Sequence, residues 1–195
     1  MGRHTKFDRE TAVKKALNCF WKNGYHKTSL EDLLREMKLS LSSFYNSFVS
    51  KEKLFFETIK YYREQIGAIR LKILLDNEND GISALRFYFN HVLLQNGEGF
   101  PSGCYMTKTA AGVLPNDLLI MQEVKLAITN LENAFAVAIE RGILSNKIKK
   151  SYNSSIWSKI LLNQVYGVSV LTNNIKSPED LLQLCYTVLD QFELR

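Results

Sequence analysis

Hydrophobic residues recur every three or four positions through most of this chain, which is the spacing of one face of an α-helix. The first such stripe consists of Val13, Ala16, Leu17 and Phe20. Asp8 precedes it as a candidate N-cap, and Gly24 follows it as a residue that can take a positive φ and end the helix. The pattern therefore predicts a first helix from about residue 8 to residue 23.

A second stripe predicts a shorter helix that begins at Thr28 or Ser29. Thr28 with Glu31 fits a capping box, and Ser29 with Asp32 fits one a residue later. The apolar face of this helix is Leu30, Leu33, Leu34 and Met37. The sequence alone does not decide whether Thr28 or Ser29 caps this helix.

The third predicted helix is short and has a polar outer face. Residues 38–39 form a tight turn, and Ser40 can cap a helix that runs through Phe48. Phe44 and Phe48 lie on one face of it, four positions apart, while the other residues largely do not. Ser50 can then cap a fourth helix.

The rest of the chain also has the helical period. Further helices are predicted at about 51–75, 82–95, 104–113, 118–141, 154–173 and 178–194, and the three prolines fall between them. Arg141-Gly142 is the predicted end of the fourth of these helices. No alternating strand pattern flanked by turn residues occurs. We expect an all-α fold of about nine helices, divided into an N-terminal three-helix domain at residues 1–50 and a C-terminal helical domain at 51–195.

Charge is concentrated at the N-terminal end. The net charge is +5, and residues 1–66 contain 13 Lys and Arg against 8 Asp and Glu, whereas residues 67–195 contain 12 of each. A basic end favours a polyanionic partner, although a merely solvated basic face would have the same composition.

Composition argues against several classes of protein. The cysteines Cys19, Cys104 and Cys185 lie too far apart for a disulfide framework or a CxxC metal site, and they favour a reducing, cytoplasmic setting. No eighteen-residue apolar run predicts a membrane span, and the first ten residues lack the apolar core of a secretory signal. Three scattered histidines and no glycine-rich loop offer no basis for an enzyme, so we expect no catalytic residues, no metal and no cofactor.

A helix, a three-residue turn and a short helix form the plan of a helix-turn-helix DNA-binding unit. The second helix must enter a major groove about 12 Å wide, so its outer positions need small polar side chains, which residues 40–47 (SLSSFYNS) supply. The helix N-termini near residues 28–29 and 50–51 offer free N–H groups and positive dipole ends that suit phosphates.

Residues 8–62 resemble the N-terminal domain of the tetracycline-repressor (TetR/AcrR) family. The matching positions are Ala16, Phe20, Gly24-Tyr25, Thr28-Ser29-Leu30, Leu39-Ser40, Phe44-Tyr45, Phe48, Ser50-Lys51-Glu52 and Leu54. The resemblance implies a homodimeric transcriptional repressor, which binds a pseudo-palindromic operator in double-stranded DNA and is released by a small-molecule effector.

The same resemblance implies roles for individual residues. Thr28 or Ser29 would contact a phosphate, Tyr45 would place its hydroxyl on a phosphate, and Lys51 would bind the DNA backbone as a point charge. The recognition surface would comprise Ser40 in the turn together with Leu41, Ser42, Ser43, Asn46 and Ser47. Alternatively, Tyr45 only packs with an exposed tip, and Lys51 is only solvated.

Two positions depart from the family pattern. Lys38 stands where the family often has glycine, which predicts a mildly strained or differently shaped turn. Leu41 stands where the family often has a basic or polar residue. No Arg or Lys lies within residues 41–48, so the bidentate contact to guanine is unavailable there. Base reading would rely on Ser and Asn, on apolar contact with thymine methyls, and on DNA shape.

For the C-terminal domain, the resemblance implies an effector cavity and a dimer interface. The last two predicted helices have wide apolar faces, which would form a four-helix interface with a second copy. These faces consist of Ile156, Ile160, Leu161, Val168 and Leu171 on one helix, and of Leu181, Leu184, Cys185, Val188, Leu189 and Phe192 on the other. Residues 102–113 (SGCYMTKTAAGV) resemble a helix near the ligand cavity in a subset of the family. Candidate cavity residues are Phe89, His91, Phe100, Cys104, Tyr105, Met106, Met121 and Trp157, for which ordinary core packing is the alternative.

Two alternative functions keep the same fold. Cys104, with Lys108 one turn later, could sense oxidants or electrophiles instead of a bound effector, unless it is simply a buried small hydrophobe. The other alternative function is that of a helical interaction protein whose DNA-binding domain has decayed. In the effector mechanism, the fourth helix would transmit the signal because it joins the two domains.

Overall fold

The computed structural model describes residues 8–76, 78, 80–94, 99–112, 118–172 and 177–192, and all its regular elements are helices. Nine helices occur within these residues, in agreement with the prediction. They are α1 (Arg9–Asn23), α2 (Leu30–Met37), α3 (Leu41–Phe48), α4 (in three consecutive segments, Lys51–Tyr61, the π-helical Tyr62–Gly67 and Ala68–Leu75), α5 (Gly81–Leu94), α6 (Tyr105–Ala111), α7 (Leu118–Leu144), α8 (Ser154–Leu171) and α9 (Pro178–Leu189). We call α1–α3 the head and α5–α9 the body.

Side-chain caps start the first four helices, as their sequences indicate. The capping oxygens of Asp8, Ser29, Ser40 and Ser50 accept N–H groups of Glu10, Asp32, Ser43 and Lys53. Ser29, and not Thr28, forms the capping box, because the Asp32 carboxylate accepts the Ser29 N–H at 3.1 Å. Hydrogen bonds from the Ser29 side chain and backbone, and from Arg35, lower the pKa of Asp32 to about 2.

The predicted apolar stripes of the head form its core. Ala16, Leu17 and Phe20 of α1, Leu33 of α2, and Phe44 and Phe48 of α3 are all at most 1% exposed. They pack against the start of α4, where Leu54 and Phe55 are buried. Burying one such Leu or Phe side chain stabilises the fold by about 1.5–3 kcal/mol. Two phenylalanines therefore fix which face of the short α3 turns inward.

Close backbone approach determines the packing of α7 in the body. A Cβ atom at Gly81 would lie 1.9 Å from the carbonyl oxygen of Ala138, and one at Gly142 would lie 2.4 Å from the Ile148 side chain. The sequence predicted that Arg141-Gly142 ends this helix, but α7 continues to Leu144. Gly142 makes room for the buried Ile148 and does not act as a C-cap.

An aromatic seam joins the head to the body. We use this name for the rings of Trp21, Phe55, Tyr62, Phe100 and Tyr105, which come from α1, α4, the loop before α6, and α6. Neighbouring centroids in the seam are 5.1–6.2 Å apart. Because one continuous hydrophobic cluster runs from the head into the body, the division at residue 50 remains a prediction.

The last two helices have two apolar faces each. One face of each helix is buried within the chain and does not meet a second copy. Its residues, which the sequence predicted to belong to the interface, are Leu161, Val168, Leu181, Cys185, Leu189 and Phe192. On the outer side, Ile156, Val170 and Leu184 are more than half exposed, and the surface around Gly167 is open. The described helices include none that is long and apolar enough to cross a bilayer.

Candidate DNA-binding surface and effector cavity

The outer face of α3 is polar and open to solvent. Ser42, Ser43 and Asn46 are exposed, Leu41 and Tyr45 are about half exposed at 52% and 50%, and Ser47 is half-buried. This is the face opposite Phe44 and Phe48. The predicted recognition residues therefore share one accessible surface, while their contacts with DNA remain a prediction.

Three serine hydroxyls cluster at the N-terminus of α3. The Ser40 hydroxyl accepts the Ser43 N–H at 3.2 Å and donates to the Ser43 hydroxyl at 2.9 Å. The Ser42 hydroxyl lies 3.1 Å from that of Ser40. Because these groups are exposed and the helix dipole is positive here, they form a surface of hydrogen-bond donors suited to an anion.

The two alternative phosphate contacts before α2 are not equivalent. Thr28 is fully buried, and its hydroxyl donates to the Gly24 carbonyl at 2.7 Å. The prediction that the Thr28 side chain contacts a phosphate is therefore wrong for this conformation, because its hydroxyl already ties α2 to the end of α1. Ser29 is exposed, although its hydroxyl donates to Asp32 at 2.7 Å.

Lys51 is held at the N-terminus of α4 by an aromatic ring. Its ammonium group lies 4.3 Å from the centroid of the Tyr25 ring, which is a cation–π arrangement. Partial burial lowers the pKa of Lys51. Tyr25 thus orients this side chain. The alternative interpretation, in which Lys51 is only solvated, does not describe its position.

Arg9 has a structural role that sequence reasoning missed. Its guanidinium donates to the Glu57 carboxylate at 2.6 Å and to the Ser47 carbonyl at 3.4 Å, and it lies 4.9 Å from the centroid of the Phe48 ring. These contacts hold α1, α3 and α4 together at one corner. No local pattern could reveal them, because the partners are 38 and 48 positions away.

Two turn residues of the head have a positive φ. Lys38 has φ 57° and ψ 45°, and Leu39 donates its N–H to the Leu34 carbonyl at 3.0 Å, which fits the predicted strained turn where glycine is favoured. Val49 has φ 66° and ψ −51°. The Ser50 N–H donates to the Phe48 carbonyl at 2.7 Å, so Val49 is the centre of a γ-turn of the strained kind. This turn joins α3 to α4.

A small cavity lies in the body beside the π-helical turn of α4. Its volume is about 50 Å³. The lining residues are Tyr62, Arg63, Gly67, Arg70, Leu71, Tyr88, Cys104, Met106, Thr107, Ala127, Ile128, Asn130 and Leu131. Of the eight predicted cavity residues, only Cys104 and Met106 line it.

The other six predicted residues are placed elsewhere. Phe100 and Tyr105 belong to the aromatic seam, and the Tyr105 hydroxyl lies 3.0 Å from that of Thr58. Phe89 stacks on Phe135, Trp157 packs against Tyr152 and Phe192, His91 is half-buried on α5, and Met121 is 47% exposed on α7. Ordinary packing explains the apolar members of this set, so the prediction that all eight share one cavity is wrong.

Cys104 is the most constrained of the predicted cavity residues. It is 4% exposed, and the buried Tyr62 hydroxyl donates to its sulfur at 3.3 Å. Arg70 donates to that hydroxyl at 2.6 Å and to the Gly103 carbonyl at 3.1 Å. Burial raises the pKa of Tyr62 well above its usual range. Sequence reasoning missed both Tyr62 and Arg70, because a buried arginine looks like any surface cation in the sequence.

Lys108 lies one helical turn after Cys104. Its ammonium donates to the Ser102 carbonyl at 3.1 Å, and burial lowers its pKa to about 8. The described residues contain no group of three or more His, Cys, Asp or Glu side chains placed to hold a metal ion.

Comparison with known proteins identifies relatives along the whole chain. Residues 12–58 match the family model described as bacterial regulatory proteins, tetR family. The HTH-type transcriptional repressor ComR of Escherichia coli (strain K12) is 26% identical over 189 residues, which are 96% of this chain and 90% of that protein.

Solved structures share the complete fold. The TetR-family regulator CifR, as a cysteine-substituted variant in complex with 26-base-pair operator DNA, has a TM-score of 0.82 and 24% identity and covers 98% of this chain and 100% of its own. A TetR-family regulator from Agrobacterium tumefaciens has a TM-score of 0.83 at 18% identity, covering 95% and 97%. At these identities, the likeness shows that the fold is common to all three chains.

The strained turn at Val49 gives a stability prediction. Val49→Gly should raise the free energy of unfolding by about 1 kcal/mol, since relief of about 1–3 kcal/mol of backbone strain outweighs the added entropy of the unfolded chain. Val137→Gly, at an exposed position within α7, is the matched control and should lower it by about 1 kcal/mol. Urea unfolding at equal protein concentration measures both. Equal destabilisation by the two variants would contradict the strain.

Proposed function

We propose that this chain, whose residues 12–58 match the model of the tetR family of bacterial regulatory proteins, belongs to that family and is a DNA-binding transcriptional repressor. It would act as a homodimer and be released from its operator by a small molecule. The observation that carries the proposal is the construction of α3. Buried Phe44 and Phe48 hold one face in the head core, and the opposite face presents serines, Asn46 and Tyr45 to solvent. Such a helix suits a major groove.

Phosphate contacts would fix the position of α3 on the duplex. Tyr45 is exposed on the outer face of α3, Lys51 begins the next helix, and Tyr25 orients the lysine before DNA arrives. Since residues 41–48 include no Arg or Lys, base reading would depend on the serines, Asn46 and the shape of the DNA. The head is thus better suited to hold the backbone than to read guanines.

The outer faces of α8 and α9 would form the homodimer interface. Ile156, Val170 and Leu184 are exposed there although they are large and apolar. Open space around Gly167 would allow close approach of a second backbone. A two-fold dimer would present two recognition helices to half-sites about one helical turn of DNA, roughly 34 Å, apart.

The effector would act through α4. Lys51 stands at one end of this helix, and Arg63, Gly67 and Arg70, farther along it, line the body cavity. That cavity, at about 50 Å³, is far below the roughly 300–1,000 Å³ of small-molecule sites. An effector must therefore enlarge it, which would displace α4, and a coupling of about 1–3 kcal/mol lowers operator affinity about 5–150-fold.

Thiol chemistry at Cys104 is the second candidate for the switch. Cys104 lines the same cavity, and its sulfur already accepts a hydrogen bond from Tyr62. Modification of this sulfur would disturb the same contacts between α4 and the body. In either case we propose a regulator without catalytic activity, which acts on DNA in the cytoplasm.

The first experiment tests the operator surface. Lys51→Ala should weaken binding about tenfold, since a charged contact is lost, and should reduce the salt slope by about 1 for each subunit. Tyr45→Phe should weaken binding without changing the slope. Lys60→Ala is the control, because Lys60 also lies over a ring, that of Phe56, but farther along α4. Gel-shift titrations on a palindrome selected from a random duplex library measure these effects.

An unchanged affinity in both Lys51→Ala and Tyr45→Phe would contradict the docking. A loss in Lys60→Ala equal to that in Lys51→Ala would mean that the effect comes from overall charge and not from a contact.

The second experiment tests the dimer interface. Leu184→Arg should convert the protein to a monomer, because two charges would have to be buried across the two-fold axis. Leu126→Arg, at a similarly exposed leucine on α7 (48% against 52%), should leave the dimer intact. Sedimentation equilibrium measures the mass of each variant. A dimeric Leu184→Arg protein would place the interface elsewhere.

The third experiment separates the two switches. Because Cys104 is only 4% exposed, we expect hydrogen peroxide to leave the operator affinity of the wild-type protein unchanged. Cys185→Ser is the matched control for Cys104→Ser, since burial raises the pKa of Cys185 to about 12. Gel shifts with and without peroxide decide the matter. Loss of binding in wild type and Cys185→Ser, but not in Cys104→Ser, would favour the thiol switch.

A further inference from the structure

A larger cleft lies between the head and the body, outside the body cavity. Its volume is about 300 Å³. The turn between α1 and α2, residues 23–27, forms one wall, and Lys108, Thr109 and Gly112 form the other. Phe20, Trp21 and Phe55 complete the lining. We call this space the head–body cleft.

The head–body cleft is large enough for a small ligand. At about 300 Å³ it reaches the lower limit of small-molecule sites, whereas the body cavity, at about 50 Å³, is far below that limit. The cleft can therefore accept one aromatic ring with a small substituent without rearrangement of the core.

The lining combines aromatic rings with positive charge. Trp21, Tyr25 and Phe55 are the aromatic members of the lining, and Lys27 and Lys108 belong to its opposite walls. The Lys108 ammonium also donates to the Ser102 carbonyl at 3.1 Å. Among the described residues that line the cleft there is no Asp or Glu. Burial lowers the pKa of Lys108 to about 8, so its charge is poorly solvated but still predominant at neutral pH. An anion in the cleft would stabilise that charge.

Trp21 provides an independent indication. It is 1% exposed, and its indole N–H is buried and has no hydrogen-bond partner in the described structure. Leaving a buried donor unsatisfied is costly, and such groups in native proteins call for an acceptor. A carboxylate oxygen is a strong acceptor of this kind.

We propose that the head–body cleft binds a small aromatic carboxylate, with its ring against the aromatic lining and its carboxylate beside Lys27 and Lys108. The site goes beyond the effector cavity of the proposed function, because it lies between the two parts of the chain. Since one wall belongs to the head and the other to α6, an occupied cleft would set the position of the recognition helix directly. That consequence rests on the proposed function, whereas the binding itself does not.

Tryptophan emission tests the binding without DNA. The chain has two tryptophans, so Trp157→Phe leaves Trp21 as the only indole. Benzoate is titrated into this protein. Benzamide is the probe that has the same shape without the charge, and inorganic phosphate is the probe that has charge without a ring. We expect a saturable change with benzoate, and at least about tenfold weaker binding of the other two.

Lysine variants in the same background locate the carboxylate. Lys27→Met and Lys108→Met should each weaken benzoate binding about tenfold. Lys22→Met, which removes an exposed charge next to Trp21 but outside the lining, should change it less than about twofold. If Lys108→Met does not fold, as judged by circular dichroism, Lys27→Met alone decides, since Lys27 is exposed.

Four results would overturn the proposal: no saturable change with benzoate in the folded protein, benzamide binding as tightly as benzoate, phosphate binding as tightly as benzoate, or equal losses in Lys22→Met and Lys27→Met. Gel shifts of the same proteins keep the two proposals separate. Failure to bind an operator would overturn the proposed function and leave the benzoate result standing, and the reverse holds as well.

Discussion

The contact of Trp21 with Tyr62 and Tyr105 is the constraint on which the arrangement of this protein depends. The ring centroids lie 5.1 Å and 5.8 Å apart, and all three side chains are almost fully buried. Aromatic side chains of this kind bury about 150–250 Å² each, so the seam contributes several kcal/mol to holding the head on the body. The direction in which α3 presents its polar face is therefore set by rings that lie outside the helix-turn-helix unit.

A buried polar network continues from the seam into the body. Arg70 donates to Tyr62, Tyr62 donates to Cys104, and the Cys104 N–H donates to the Ser169 hydroxyl at 2.8 Å. This chain of bonds ties α4 to the loop before α6 and to α8. Loss of one buried partner costs about 1–3 kcal/mol, because the others are left unsatisfied. This network thus connects α4 both to the lining of the body cavity and to α8, which belongs to the proposed dimer interface. A switch that moves α4 would therefore act on both.

Several residues show why sequence reasoning succeeded in some places and failed in others. The caps at Ser29 and Ser40 and the stripe of Phe44 and Phe48 were predictable, because their partners lie within four positions. The sequence predicts a helix stop at Gly142, yet this residue serves close packing against Ile148. Thr28 was a candidate phosphate contact, yet its hydroxyl is buried on the Gly24 carbonyl. When a residue type suits two roles, contacts with residues that are distant in the sequence decide which role it has.

The sequence by itself determined the helices, their order and the outward polar face of α3, since helical periodicity and capping depend on residues one turn apart. Only the tertiary structure decided which residues meet across the chain. Arg9 and its partner Glu57 are 48 positions apart in the sequence, and Arg70 and its partner Gly103 are 33 positions apart. The same holds for the two cavities, whose walls come from separate helices. Local patterns contain no information about such distances, because packing between helices sets them.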